Sequence, residues 1–342
     1  MKKIVFFNHK GGVSKTTSAF HLGWMIANKG HKVLLVDADP QCNLTALILG
    51  NKFDDFYEDD TTKNQNLMDG VNPAFSGSPT PIKAVECVRA VRNANLYLLP
   101  GHMNLSEYDA QLNFAFTASQ TMISLQNLPG AFNDLITKTA ESIDAEYVLI
   151  DLNPGLSTIN QDLFLISDGF IVPTNPDTFS LMALKSLATI LPRWVNWKNN
   201  NINSFSHSAY PLPSGTPKFI GEIPQRFNIR NGVATTPFRI KLGQLSQQTV
   251  ELFVPALKAK GMMFPDEVYN SSGIDPQNYF LEEIKDFQGL APKSLSSNVP
   301  VFELTDEELG TTGAALESQK DNRETFRTIY NNIAEKVISI LQ

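Results

Sequence analysis

Residues 3–41 carry the pattern that most restricts the fold. "KIVFFN" (3–8) is a short apolar run, and the polar stretch "HKGGVSKTT" (9–17) follows it. From Thr16 to Asn28 the apolar residues Phe20, Leu22, Met25 and Ile26 recur at helical spacing, and Gly30 supplies a stop. "KVLLVDADPQ" (32–41) is a second apolar run, with acids at its carboxyl end. Two such strands joined through a helix pair in parallel, and parallel strands are covered on both faces. The expected fold class is therefore α/β: a doubly wound, mostly parallel sheet flanked by helices.

The rest of the chain extends that plan. Further strands are expected at 95–101, 146–155, 169–177 and 218–227, with 299–304 as a last strand or edge. Helices are expected at 122–142, 180–191, 239–260 and 322–341. The last shows Phe326, Ile329, Tyr330, Ile333, Val337 and Ile340 on one face. Residues 51–81 are acidic, then rich in Gly, Pro, Ser and Asn, and read as a partly flexible surface excursion. Residues 196–217 read as irregular, and 261–298 as a second polar excursion. The whole chain, 1–342, is expected to be one domain with insertions at about 51–90 and 261–298.

Composition closes off several functions. The formal net charge of −7 leaves nucleic-acid binding to a local basic patch rather than bulk attraction. Two cysteines, Cys42 and Cys87, make neither a disulfide framework nor a four-cysteine metal site. No apolar run approaches the ~18 residues that span a bilayer.

The stretch 9–17 is where chemistry enters. A phosphate loop follows G-x-x-x-x-G-K-[ST] and points backbone N–H groups at phosphate oxygens from the start of a helix. Lys15-Thr16 fit the end of that pattern, but His9 and Ser14 stand where glycine is usual. Gly11 and Gly12 supply freedom in mid-turn, and Ser14, like Val13, keeps its N–H. Lys15 would neutralise the β/γ-phosphates, Thr16 would ligate Mg²⁺, and the Thr17 hydroxyl would lie near the α-phosphate. Taken alone, the stretch reads equally as a glycine-containing turn with exposed lysines. Its setting decides otherwise, because it leaves a strand and opens a helix. Asp39 and Asp151 also end strands, so all three elements are expected to meet beyond the carboxyl edge of one sheet, where open α/β sheets bind ligands.

"KGGVSKTT", with Lys10 ahead of the loop, resembles the deviant Walker A motif of the ParA/MinD family of P-loop ATPases. "DADPQCNLT" resembles that family's second motif, "EYVLIDLNPG" its Walker B region, and "LYLLPGHMNLSEYDAQL" a further family stretch. The resemblance covers residues 1–50 and 95–190, and continues more weakly through 218–245 and the C-terminal helix. Ser14 for glycine departs from the family pattern. The resemblance implies a P-loop NTPase fold that takes ATP or ADP with Mg²⁺. Thr16, Asp39 and Asp151 form the expected metal set, Asp151 acting through water, and Asp39 orients the attacking water. Lys10 would reach the nucleotide of a second subunit, so that ATP binding and homodimer formation are one event.

The family's jobs differ. In partition, the ATP dimer binds DNA non-specifically and a ParB-like partner stimulates hydrolysis. The cluster after a late strand, Arg226 and Arg230 followed by Arg239 and Lys241, resembles the DNA surface of partition ATPases, with Arg226 and Arg230 as the expected contacts. Membrane positioning is not expected, because the C-terminal "KVISILQ" has only Lys336 nearby. An iron–sulfur role is not expected, because Cys42 and Cys87 do not sit at the related iron protein's ligand positions. With the loop beginning at residue 10, no N-terminal helix-turn-helix and no operator binding are expected. Gln225 and Pro300 are the expected adenine-side residues, from strand order. The expected location is cytoplasmic, on the nucleoid when ATP is bound. The alternative reading is an ATP-switched scaffold that recruits a protein through the two insertions without touching DNA.

Overall fold

The computed structural model describes residues 1–118, 122, 125–227, 229–230, 233–234 and 236–342, with 226, 227, 229, 230, 233 and 234 described by backbone alone. The strands are β1 (Lys2–Phe6), β2 (Val33–Ala38), β3 (Val88–Arg89), β4 (Leu96–Leu99), β5 (Tyr147–Leu152), β6 (Gly169–Thr174), β7 (Lys218–Phe227), β8 (Ile229–Arg230), β9 (Val233–Ala234) and β10 (Ile284–Lys285). Among the described residues, eight of them form one sheet in the order β10-β7-β6-β1-β5-β2-β4-β3, and β8 and β9 form a separate hairpin. Neighbours in the sheet run parallel except β3 against β4. This is the mostly parallel α/β sheet expected from the sequence.

The strand order creates the site. β5 lies between β1 and β2, with Phe6 beside Asp151 and Asp37 beside Asp151 in register. The loops after β1, β2 and β5 therefore open together at one carboxyl edge. Every residue of β2, β5 and β6 is buried, as parallel strands covered on both faces require. Helix α1 (Lys15–Asn28) packs against β2 and β5 and against the C-terminal helix Gly313–Leu341, where His21 stacks on Tyr330 with centroids 4.9 Å apart. Elsewhere Phe7 meets Phe164 of helix Thr158–Leu165 and Trp194 of helix Thr178–Asn201.

The two polar stretches are not loose excursions. Residues 53–58 and 67–75 are helical, and Leu67, Val71 and Phe75 are buried. Their spacing of four places one apolar stripe on the core, although the surrounding composition is polar. Within 261–298, β10 adds to the sheet edge beside β7, and Met262, Tyr269 and Tyr279 are buried, with Tyr279 against Phe219. β10 thus takes the edge expected for 299–304, where Val301–Glu303 forms a short 3₁₀ turn instead.

Helix boundaries also move. The helix expected over 122–142 is present as Ala131–Ser142, while 123–124 lie outside the described residues and 125–130 are turns. Helix Asp109–Ala118 has no counterpart among the expected helices. Helix Thr178–Asn201 runs well past 191 and takes in the start of the stretch expected to be irregular. The C-terminal helix begins nine residues earlier than 322.

Candidate functional site

The loop from Asn8 to Ser14 leaves β1 and turns into α1 through two left-handed residues. Gly12 has φ +71°, and Ser14, the residue before the helix, has φ +58°. Glycine takes that conformation freely, whereas serine carries a Cβ penalty, so Ser14 occupies a glycine position at a cost of ~1 kcal/mol. The Ser14 carbonyl accepts bonds from Ser18 N and Oγ, both at 2.9 Å. The Asn8 side chain, fully buried, donates to the Pro173 carbonyl at 2.9 Å and accepts from Lys10 N at 3.0 Å. Gln225 donates to the Val13 carbonyl at 2.8 Å and to Ser18 Oγ at 3.0 Å, and Asn175 donates to the Gly12 carbonyl at 3.1 Å. With its carbonyls held from behind, the loop is a preformed nest at a helix start, the setting that favours anions.

Lys15 stands at the head of α1 and is only 6% exposed. Burial lowers its pKa, while the nearby charges of Asp151 and Asp39 work to keep it protonated. Asp151 ends β5 and is completely buried, and neither of its carboxylate oxygens has a hydrogen-bond partner. Burial, reinforced by the adjacent Asp37 charge, pushes its pKa up to about 8, against the opposing pull of the Thr16 hydroxyl and Lys15. An orphaned buried carboxylate beside a hydroxyl at a phosphate-type loop fits a cation as its partner. Among the described residues no group of three or more His, Cys, Asp or Glu could hold a metal by itself. That donor set suits Mg²⁺, which keeps waters and takes one or two protein ligands together with phosphate oxygens. Thr16, Asp39 and Asp151 are the residues that would hold it.

Two acids of β2 and its following loop divide the labour. Asp37, which is not among the residues expected from the sequence, is fully buried. It accepts from Thr45 N (2.8 Å), Thr45 Oγ1 (2.7 Å) and Asp39 N (3.2 Å). Burial raises its pKa to about 6 despite those bonds. Gly101 packs so closely that a Cβ there would lie 2.9 Å from the Asp37 carbonyl oxygen, which is why glycine ends "LYLLPG". Asp37 thus anchors helix α2 (Asn43–Leu49) and orients Asp39. The signal was present in the alternation of "DAD": a carboxylate inside an apolar strand needs built partners. Asp39 itself lines the cleft and accepts from Gln41 N at 3.0 Å.

The cleft has a volume of about 680 Å³. Gly12, Val13, Ser14, Lys15, Thr16 and Thr17 line one end, with Asp39 and Gln225. The far wall comes from Leu47 and Gly50 on one side and Phe287, Ala291, Leu295 and Asn298 on the other. Pro300, expected at the adenine end, is buried and lies outside the lining; the wall is built by residues 284–298 instead. Asp151 lies behind the surface rather than on it. The Cys42 thiol, beside Asp37, is pushed up to about 12 by burial and by that charge, so it is no nucleophile.

Lys10 does not enter this cleft. Its ammonium lies 2.5 Å from Asp177 Oδ2 and 3.1 Å from Ser180 Oγ, at the start of helix Thr178–Asn201. Gly11 is exposed and sits against Pro154. The side chains of Arg226 and Arg230 lie outside the described residues, although their backbones fall in β7 and β8. Arg239 is exposed and Lys241 half-buried on helix Thr236–Gln248. They contact Thr236 and Gln244 and pair with no carboxylate among the described residues.

A family model described as an AAA domain, AAA_31, matches residues 1–204. The chain belongs to this family and is a ParA-like P-loop ATPase. It is 30% identical over 203 residues to the uncharacterized protein MJECL24 of Methanocaldococcus jannaschii, covering 59% of this chain and 69% of that one. It is 27% identical over 194 residues to the chromosome partitioning protein ParA of Caulobacter vibrioides, covering 56% of this chain and 63% of that one. The match thus spans less than two thirds of that ParA. In structure the chain resembles pNOB8 ParA, with a TM-score of 0.61, 16% identity and coverage of 99% of this chain and 98% of the other. The same pNOB8 ParA bound to nonspecific DNA gives a TM-score of 0.55 at 16% identity over 99% and 98% of the two chains. At these identities the likeness establishes the P-loop fold. No helix among the described residues is long and apolar enough to cross a membrane.

Proposed function

We propose that this chain binds ATP with Mg²⁺ in the cleft, dimerises over the nucleotide, hydrolyses it slowly, and in the ATP state binds DNA without sequence preference to move or position a cargo. The observation that carries the proposal is Asp151: a buried, unpartnered carboxylate beside Lys15 and Thr16 at the mouth of a preformed anion nest.

Each residue then has a role. The N–H groups of Gly11 to Thr17 and the Lys15 ammonium hold the phosphates, and Thr17 adds a hydroxyl. Mg²⁺ would add positive charge where the phosphate oxygens gain negative charge. Thr16 and Asp151 position that ion, and Asp39 orients water at the cleft wall. Asp37 fixes Asp39 through its N–H bond and fixes α2 through Thr45. Lys10 is held by Asp177, away from its own cleft. That supports a role towards a partner subunit's nucleotide, in the manner of a cationic finger in trans.

DNA binding is supported by Arg239 and Lys241, which pair with no carboxylate among the described residues and are close in sequence to Arg226 and Arg230, and by the DNA-bound state of pNOB8 ParA. A ParB-like activator and a nucleoid location follow from the same reading. The test is fluorescence anisotropy of a labelled random-sequence duplex titrated with the protein plus ATP, ADP or no nucleotide, at low and moderate salt. Binding confined to ATP and weakening steeply with salt is expected. Absence of binding with ATP hydrolysis intact would refute the DNA role and leave the scaffold reading.

A further inference from the structure

A second cavity, of about 330 Å³, lies under the segment 51–90, and the nucleotide reading does not use it. Leu49, Phe56 and Val88 form its apolar walls. Asp55, Asp59 and Glu86 stand around it, all exposed, with Lys52 as the only cation in the lining among the described residues. Of the segment's other cations, Lys63 is paired with Asp60, while exposed Lys83 and Arg89 lie outside the lining, Arg89 next to Val88 on β3. Three carboxylates against one ammonium repel nucleic acid, anionic lipid and acidic peptides, and favour a cationic ligand.

The shape of the ligand follows from β3. It is the last strand of the sheet, pairs only with β4, and has no strand on its outer flank among the described residues. Val88, a wall of the cavity, lies on that edge. β3 is only two residues long, so beside the cavity it offers an extended chain a short edge rather than a full strand to pair with. The cavity has room for one or two apolar side chains.

We infer that this cavity is a docking site for a protein partner that presents an extended segment, an apolar side chain flanked by lysines or arginines. The apolar side chain fills the space between Phe56 and Val88, and the flanking cations face Asp55, Asp59 and Glu86. The site is independent of the phosphate loop and does not need the nucleotide reading to hold.

The test is a random nonapeptide library displayed on phage and panned on the full chain. The best peptides are then synthesised with a fluorescent label and titrated by polarisation against wild type and Asp55→Lys/Asp59→Lys. Both substitutions are at exposed positions, and an unchanged melting curve will establish that the double variant is folded. Enriched peptides with an apolar residue between basic ones are expected, binding at least tenfold more weakly to the double variant and more weakly at high salt. No enrichment, acidic peptides, or peptides that bind both proteins equally would overturn the proposal. Lys15→Ala is expected to leave peptide binding intact, so failure of the nucleotide reading and failure of this one are separate results.

Discussion

Replacing Asp151 with asparagine removes a carboxyl whose charged form is disfavoured by burial and whose oxygens have no hydrogen-bond partner. Asp151 is fully buried, beside Asp37 in register, and its carboxyl is pushed up to about 8, against ~3.9 in an unfolded chain. Between those two values the folded protein holds a proton that the unfolded chain has lost. Stability of the wild type therefore falls with rising pH across this window, by up to ~1.4 kcal/mol per unit from this group. Water penetration and relaxation limit the total to ~2–3 kcal/mol, the cost of one unsatisfied buried polar group at its upper end. Asp37, raised to about 6, and Glu222, raised to about 7 by burial, slope the same way, so the variant and wild type must be compared at each pH. The substituted side chain is still polar, so the pH dependence rather than any constant offset carries the test. By thermal melting without nucleotide, D151N is expected to gain ~4–6 °C relative to wild type between about pH 4 and about pH 8, at ~2 °C per kcal/mol. Saturating Mg–ATP should stabilise the wild type more than D151N, because the variant has lost one of the three residues that would hold the ion. A pH-independent difference, or equal stabilisation of both proteins by Mg–ATP, would refute the assignment of Asp151.

Four further outcomes follow. Asp39→Ala is expected to keep ATP binding but lose ~10²-fold or more in turnover; normal turnover in a phosphate-release assay would remove it from water positioning. Lys10→Ala should still bind ATP in a filter assay while abolishing the rise of specific activity with protein concentration; an unchanged rise would end the role in trans. Ser14→Gly should raise stability by ~0.5–1 kcal/mol in urea titration by relieving a left-handed serine, and a loss of stability would show that the Ser14 side chain is needed. Arg226→Glu with Arg230→Glu should abolish ATP-dependent duplex binding with hydrolysis retained; undiminished anisotropy would place the DNA surface elsewhere.

What is legible in the sequence, and what is hidden, divides by distance along the chain. The phosphate loop, the strand ends at Asp39 and Asp151 and the parallel sheet are legible because each is a local pattern of apolar runs broken by chemistry-bearing residues. Asp37 escapes notice because its role depends on Thr45 and Gly101, which sequence does not pair with it. The far wall of the cleft goes unseen because an edge strand of only two residues, Ile284–Lys285, carries too little pattern. The segments 51–81 and 261–298 read as surface excursions because their buried residues are widely spaced among polar ones. Composition reports an average, whereas a single stripe such as Leu67, Val71 and Phe75 is enough to hold a helix on the core.

The most direct test of the account is the mass of Asp39→Ala in solution, by sedimentation with ATP, with ADP and without nucleotide, always with Mg²⁺. A species of twice 37.9 kDa with ATP alone, absent in Asp39→Ala/Lys15→Ala, is the predicted result. A monomer under every condition, or a dimer that ignores nucleotide, would contradict it.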